Sequence, residues 1–203
     1  SAGHFTFGSF NQLEKTTPEV VARWAQILKA VPESRLALKA LAFADESTLD
    51  RYASLFEHHG VARERIELLN HLPSRRAHLE LYGRIDLALD TFPYNGTTTT
   101  CEALWMGVPV LTLAGDRHAA RVGVSLLARL GLEEFIARDP EDYVTRAVRF
   151  ASRLDELTAV RAGLRARMRA SPLCDAAAFT RDLEAAYRAL WQTWCARSRL
   201  ARG

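Results

Sequence analysis

Apolar residues follow two different spacings along the first part of this chain. Short apolar runs of strand length lie at residues 4–9, 35–41, 65–69, 85–89 and 108–113. Between these runs, apolar residues recur at helical spacing and predict helices at about residues 17–31, 47–59, 74–82 and 98–106. The first of these helices has Thr17 as its N-cap and Pro18 at its first helical position. Later positions are almost entirely helical, at about residues 118–130, 140–153, 155–170 and 176–197, with a short sixth strand at 135–137.

Strands that alternate with helices form right-handed βαβ units, so the pattern predicts a Rossmann-like α/β domain with a parallel sheet. In such sheets, ligands bind outside the carboxyl ends of the strands, where the strand order reverses. The loops at 10–16, 70–75, 90–97 and 114–118 each follow a predicted strand and therefore share this edge. With 203 residues, of which 48% are apolar, the chain suits a single domain of this class.

Residues 90–109 are the most informative stretch. A turn around Asn95 and Gly96 leads into four threonines at 97–100, and the helix they begin ends at Gly107. Amide groups of a first helical turn have no intrahelical partner and lie at the positive end of the helix dipole, so they suit a phosphate. Glu102 lies one turn after Thr98, where its carboxylate accepts hydrogen bonds from ribose hydroxyls. The alternative is an ordinary loop-to-helix junction, because threonine is a common N-cap.

Composition narrows the class of protein further. The net charge is +3, from 27 basic and 24 acidic residues, which neither requires nor excludes an anionic ligand. Acidic Asp155 and Glu156 interrupt the arginine-rich helices, so we expect a solvated face and no nucleic-acid partner. No apolar run approaches the roughly 18 residues of a membrane span, and we expect no membrane partner. The cysteines are widely spaced, which favours reduced thiols in a cytoplasmic protein; they are Cys101, Cys174 and Cys195.

Metal-binding patterns are not evident in the sequence. Asp86 and Asp90 are four residues apart and do not form the D-x-D of metal-dependent transferases, and the histidines lack a metal-ligand spacing. We therefore expect no metal and no cofactor.

Five motifs occur in one order along the chain: Phe10-Asn11-Gln12-Leu13-Glu14-Lys15, Leu72-Pro73-Ser74-Arg75, Asn95-Gly96-Thr97-Thr98-Thr99, Gly107-Val108-Pro109 and Ala120-Arg121-Val122. Over about residues 5–195 the chain resembles the carboxy-terminal catalytic lobe of the SPINDLY and O-linked N-acetylglucosamine transferase family, glycosyltransferase family 41. The resemblance implies a two-lobed GT-B enzyme, of which residues 1–203 supply the nucleotide-sugar-binding lobe, helix-rich from about residue 139. The amino-terminal lobe and tetratricopeptide repeats would then be absent from this chain.

The resemblance implies roles for several early residues. Lys15 follows the first strand and would neutralise the β-phosphate as it leaves, with Gln12 beside it on the diphosphate. His78 would border the nucleobase and phosphates, and Arg75 stands where eukaryotic members carry a lysine near the ribose. From the residues alone, the alternatives are that Lys15 is an ordinary solvated lysine and that His78 is a structural histidine.

The threonine segment carries the remaining implied contacts. Gly96, Thr98 and Thr99 match the family motif at the phosphates. Thr97 stands where eukaryotic members have a histidine, and Glu102 where they have an aspartate that reaches the ribose. Leu81 replaces a uracil-contacting arginine, so the resemblance does not decide which base is bound.

Arg121 opens a later helix, where it contacts either a sugar or phosphate, or pairs with Glu133 or Asp116. The leading functional interpretation is one lobe of an inverting transferase that moves a sugar from UDP-N-acetylglucosamine or GDP-fucose to serine or threonine of a protein acceptor. This lobe alone should be inactive, since the other lobe is missing. The alternatives are a non-catalytic nucleotide- or protein-binding module, a small-molecule glycosyltransferase and a GT-B sugar-nucleotide epimerase.

Overall fold

The computed structural model describes residues 3–70 and 72–200, with the backbone alone for residues 198–200. Residue 71, within the predicted 70–75 loop, lies outside this description. The strands are β1 (Thr6–Ser9), β2 (Arg35–Lys39), β3 (Ile66–Leu69), β4 (Leu87–Leu89), β5 (Val110–Leu113) and β6 (Ile136–Ala137). The helices are α1 (Pro18–Ala30), α2 (Glu46–His58), α3 (Arg75–Leu81), α4 (Thr98–Trp105), α5 (Val122–Ala128), α6 (Pro140–Ala151), α7 (Leu154–Ala170) and α8 (Ala176–Leu200).

The six strands form one parallel sheet in the order β3-β2-β1-β4-β5-β6. This confirms the predicted Rossmann-like α/β class. Chain order runs outward in both directions from the middle of the sheet, so the topological switch lies between β1 and β4. The loops that follow these two strands are therefore the expected walls of a ligand crevice.

A buried hydrogen-bond chain holds two helices against the end of β4. Trp24 on α1 donates from Nε1 to the hydroxyl of Tyr143 on α6 at 3.1 Å. The Tyr143 hydroxyl donates in turn to the carbonyl oxygen of Asp90 at 2.9 Å. Both rings are fully buried. The end of β4 is therefore fixed by a hydrogen bond from α6, which is itself bonded to α1.

Local sequence explains the helix starts. The Thr17 hydroxyl accepts from the amide of Val20 at 3.3 Å, which confirms the predicted N-cap. Asp45 caps α2 in the same way by accepting from the amide of Thr48.

Several predicted elements are shorter in the structure. Residues 85 and 86 do not belong to β4, because Arg161 of α7 donates to the carbonyl oxygens of Ile85 and Asp86 at 2.6 and 3.0 Å. Asp86 and Asp90 thus flank β4, so the predicted strand at 85–89 was wrong to include Asp86. The predicted helix at 118–130 is a 3-10 turn followed by α5, because Arg121 has a non-helical backbone with ψ of 4°. A 3-10 turn at Leu13–Lys15 also lies within the predicted 10–16 loop.

Helix α8 exposes large apolar side chains along much of its length. They recur at three- and four-residue intervals, as on one face of a helix, with exposed fractions of 39–67%: Phe179, Leu183, Tyr187, Leu190, Trp191 and Trp194. The two tryptophan rings stack with centroids 5.1 Å apart.

In the described part of the chain, no helix combines the length and apolar character required to cross a bilayer.

Candidate functional site

The loops after β1 and β4 meet at the topological switch through Lys15. The Lys15 ammonium donates to the carbonyl oxygen of Asn95 at 3.0 Å and lies 3.8 Å from the centroid of the Tyr94 ring. Both contacts favour a positive charge at this position, one by hydrogen bonding and one through the ring quadrupole. An ammonium has three donors, so the bond to Asn95 leaves further N–H groups for a ligand.

Asp90 organises the loop that follows β4. Its Oδ1 accepts from the amides of Thr91 at 2.9 Å and Gly96 at 2.7 Å, while its Oδ2 accepts from the Thr112 hydroxyl at 2.8 Å. Burial raises the pKa of the Asp90 carboxyl to about 6, although the three hydrogen bonds and the charge of Lys15 act in the opposite direction. Sequence reasoning considered Asp90 only as a metal ligand and missed this role.

Asn95 ties the same loop to α5. Its buried side chain donates from Nδ2 to the carbonyl oxygen of Thr91 at 2.9 Å and accepts at Oδ1 from the amide of Gly123 at 3.2 Å. Asn95 and Asp90 therefore satisfy the polar groups of the turn internally, which fixes the backbone that receives Lys15.

Gly96 lies where the β4 loop, the β1 loop and α4 converge. A Cβ at this position would come within 2.7 Å of Asn11 Oδ1 and Thr99 Oγ1, and within 2.8 Å of Thr100 Oγ1. Thr99 Oγ1 donates to Asn11 Oδ1 at 2.7 Å, which joins the start of α4 to the β1 loop. Any side chain at position 96 would therefore clash at the amino terminus of α4, so this position requires glycine.

The amino terminus of α4 opens toward solvent. Thr97 is the N-cap, but its side chain makes no capping hydrogen bond, and Thr97 and Thr98 are both exposed. The sequence left two interpretations of these threonines open: an ordinary loop-to-helix junction or a phosphate site. The Thr97 side chain does not cap α4. The amides of a first helical turn have no intrahelical partner, so an anion can bind at this position.

One turn deeper, Glu102 is paired with His78 of α3. Glu102 Oε2 lies 3.0 Å from His78 Nε2, and the exposed fraction of each side chain is 17%. The His78 ring also packs beside Phe10 and Tyr82, with centroids 5.9 and 5.5 Å away. The Tyr82 hydroxyl donates to the Thr99 carbonyl at 3.2 Å, so α3 and α4 share one hydrogen-bonded wall. The sequence did not predict this pairing, because no local spacing links residues 24 apart.

The buried Nδ1 of His78 has no hydrogen-bond partner in the described part of the chain. When Nε2 donates to the Glu102 carboxylate, the neutral ring presents Nδ1 as an acceptor. A buried acceptor without a partner is costly, and a ligand hydroxyl or amide would relieve that cost.

The remaining candidates lie at the rim of the site. Arg75 is exposed and lines a cavity of about 420 Å³ together with His78 and Glu102. Gln12 is exposed and lines a neighbouring cavity of about 450 Å³ beside the β1 loop. Arg121 is exposed and donates to the carbonyl oxygen of Gly115 at 2.9 Å, within its own loop. Leu81 is buried, so its side chain faces the core.

Lys39 is a site residue that sequence reasoning missed. It is the last residue of β2, lies half-buried at the same edge and lines both of these cavities. Burial lowers the pKa of its ammonium, and the nearby charge of Glu102 raises it. Lys39 lies near the carboxyl end of the strand predicted at 35–41, which was the available sign, but the prediction relied on the motif residues and omitted it.

A parallel sheet with a cation and an open helix start at its switch point is typical of nucleotide-binding domains of the α/β class. The family model for Glycosyl transferase family 41 matches residues 3–183, and the chain belongs to that family. The SPINDLY protein of Solanum lycopersicum, named as a probable UDP-N-acetylglucosamine–peptide N-acetylglucosaminyltransferase, is 48% identical over 96% of this chain. The chain covers 21% of that protein's length, and it spans about a fifth of the length of the curated relatives that it matches.

Other relatives agree with this assignment. The Arabidopsis thaliana protein SEC, which carries the same kind of name, is 35% identical over 94% of this chain and is covered over 19% of its own length. The structure of an O-GlcNAc transferase mutant from Thermobaculum terrenum superposes with a TM-score of 0.91 at 44% identity, covering 97% of this chain and 38% of the other. Sucrose-phosphate synthase from Thermosynechococcus elongatus shares the fold alone, with a TM-score of 0.66 at 15% identity over 95% of this chain and 47% of its own.

Proposed function

We propose that this chain is the nucleotide-sugar-binding lobe of an inverting protein O-glycosyltransferase. The longer enzyme would transfer N-acetylglucosamine or fucose from UDP-N-acetylglucosamine or GDP-fucose to serine or threonine of a protein acceptor. The observation that carries the proposal is the position of Lys15, which contacts the β4 loop beside the open amino terminus of α4. The names of the relatives support the class of reaction, and the site residues support the binding of the donor.

In this reaction, the acceptor hydroxyl attacks the anomeric carbon while the bond from that carbon to the β-phosphate oxygen breaks. The electron pair of the broken bond stays on the diphosphate, so negative charge grows there in the transition state. Lys15 and the first amides of α4 would stabilise this charge, assisted by the hydroxyls of Thr98 and Thr99 and by Gln12. Protein groups supply the countercharge in this proposal, and donor binding is expected to proceed without a metal.

The ribose would lie one helical turn from the diphosphate. Glu102 is held by His78 at 3.0 Å, which leaves the second carboxylate oxygen available for a sugar hydroxyl. The unpartnered Nδ1 of His78 would accept from a ligand group in the same cavity. Arg75 would approach the ribose from the rim, and Arg121 would contact the sugar or phosphates across the β5 loop.

The acceptor site, the catalytic base and the tetratricopeptide repeats are proposed to belong to the remainder of a longer cytoplasmic protein. The exposed apolar face of α8 supports a tightly packed neighbour, since large apolar surfaces without a partner are unusual on monomeric proteins. We propose that this neighbour is the amino-terminal lobe, and that neither a nucleic acid nor a membrane is a partner. The isolated chain is then expected to bind nucleotide without transferring sugar.

Calorimetry of the folded chain with UDP, GDP, UDP-N-acetylglucosamine and GDP-fucose tests the proposal. We expect binding of at least one nucleoside diphosphate, unchanged by excess EDTA, with a lower affinity in Lys15→Ala than in the matched surface variant Lys29→Ala. Absence of binding by a chain that circular dichroism shows to be folded would refute the assignment. Loss of binding on addition of EDTA would refute the metal-independent mechanism.

A further inference from the structure

We propose that Lys39 recognises the nucleobase of the donor by donating a hydrogen bond to a ring carbonyl oxygen. The site then prefers uracil and guanine, which carry a carbonyl at C4 of the pyrimidine or C6 of the purine, over cytosine and adenine, which carry an amino group at that position. This inference rests on the proposed nucleotide-sugar function and assigns the base-reading group within the same site.

The sheet fixes where Lys39 lies. Lys39 pairs with Leu69 in the β2–β3 register, and the amide of Ala40 donates to the Leu69 carbonyl at 3.1 Å. These bonds place Lys39 at the carboxyl edge of the sheet, on the strand next to β1 and therefore one strand away from the β1–β4 switch. Its side chain lines the cavity of about 420 Å³ whose other walls include Pro73, His78 and Glu102.

The order of groups along a nucleoside diphosphate points the base toward this cavity. With the diphosphate at the start of α4 and the ribose at Glu102, the base extends from the far side of the ribose, away from the phosphates. Glu102 lines the same cavity as Lys39 and Pro73, and in this proposal the base occupies the part of it beside those two residues. Its volume lies in the range of about 300–1,000 Å³ that is typical of small-molecule sites.

The Lys39 ammonium is available for a ligand. Within residues 3–70 and 72–200 it makes no hydrogen bond, and its electrostatic partner is Glu102. Lys15 differs, because its ammonium already donates to Asn95 and lies against Tyr94. The half-buried Lys39 ammonium therefore has donors that no described protein group uses. It lies in the same cavity as the unpartnered Nδ1 of His78, so two polar groups there lack a hydrogen-bond partner among the described residues.

Donor chemistry sets the expected preference. An ammonium only donates hydrogen bonds. Uracil and guanine present a carbonyl acceptor at the ring position where cytosine and adenine carry an amino donor. A donor facing an amino group gains no bond and loses its hydration, so the amino bases are selected against.

Calorimetry of the chain with UDP, GDP, CDP, ADP and 2′-deoxy-UDP tests this assignment. Lys39→Met keeps the length of the side chain and removes its donors, and Lys29→Met is the matched exposed control. We expect the wild type and Lys29→Met to prefer UDP over CDP and GDP over ADP by about tenfold. Lys39→Met should lose about tenfold in affinity for UDP and GDP while its affinities for CDP and ADP stay within about twofold.

Two outcomes would overturn the role of Lys39 while leaving the proposed function intact. An equal loss for all four diphosphates would mean that the charge acts on the phosphates. A changed ratio of UDP to 2′-deoxy-UDP affinity would mean that Lys39 acts by positioning Glu102.

If Lys39→Met does not fold, Lys39→Gln tests the same role. Its side-chain amide can accept a hydrogen bond from an amino base, so the ratio of UDP to CDP affinity should come close to one. Failure of the wild type to bind any diphosphate would refute both proposals together.

Discussion

Replacing Asp90 with asparagine removes a buried carboxyl charge while keeping its hydrogen bonds. Oδ1 would still accept from the amides of Thr91 and Gly96. The new amide would donate to the Thr112 hydroxyl, which now donates to Asp90 Oδ2 at 2.8 Å. The variant therefore changes the titration of this position and little else, which makes the effect of pH on stability interpretable.

The expected magnitude follows from the pKa of the Asp90 carboxyl, which is about 6 in the folded chain against 3.8 without burial. In this interval the folded state binds more protons than the unfolded state, so the free energy of unfolding falls as the pH rises from about 4 to about 6. At 1.36 kcal/mol per pH unit, the loss attributable to Asp90 is about 3 kcal/mol, and it is complete above the folded-state pKa.

Urea unfolding at pH 4, 5, 6 and 7 measures this contribution in the wild type, Asp90→Asn and the exposed control Asp116→Asn. From pH 4 to pH 7, Asp90→Asn should become more stable relative to the wild type by about 2.4 kcal/mol, since a small part of the loss has already occurred at pH 4. The control should follow the wild type at every pH. A difference between Asp90→Asn and the wild type that does not depend on pH would mean that burial does not raise the pKa of Asp90, and the reasoning would be refuted.

Three further predictions concern the site. In the complete enzyme, Lys15→Ala should lower kcat about a hundredfold, or roughly 3 kcal/mol, with a smaller effect on donor affinity, and an unchanged kcat would make Lys15 an ordinary surface lysine. Glu102→Ala should weaken nucleotide binding by about 1.5–3 kcal/mol and remove the preference for ribose over deoxyribose; calorimetry showing the same preference in both proteins would place the ribose elsewhere. Gly96→Ala should lower melting temperature and diphosphate affinity through its 2.7 Å contacts, at a cost of about 1–3 kcal/mol. Gly83→Ala, where a Cβ meets nothing within 4 Å, is the control, and equal behaviour of the two variants would contradict the steric argument.

The sequence was sufficient to predict the layers of the fold. The spacing of apolar residues located the six strands, and the alternation of strands with helices led to a parallel sheet with its loops on one edge. Local features also predicted Thr17 as an N-cap and the start of α4 at the threonines. These features were readable because each depends on residues within a few positions of one another.

What the sequence determined by itself is therefore the class of domain and the segments that form its site. Only the tertiary structure decided which side chains meet there: Glu102 with His78, Lys15 with Asn95, and Lys39 in the cavity that His78 and Glu102 also line. It also revealed that Asp90, a residue considered only for metal binding, is buried and orders the loop at the switch. The physical reason is distance along the chain. Hydrogen bonds join residues up to 119 positions apart, as in the pair Trp24 and Tyr143, and no local pattern encodes such a pairing until the fold brings the elements together.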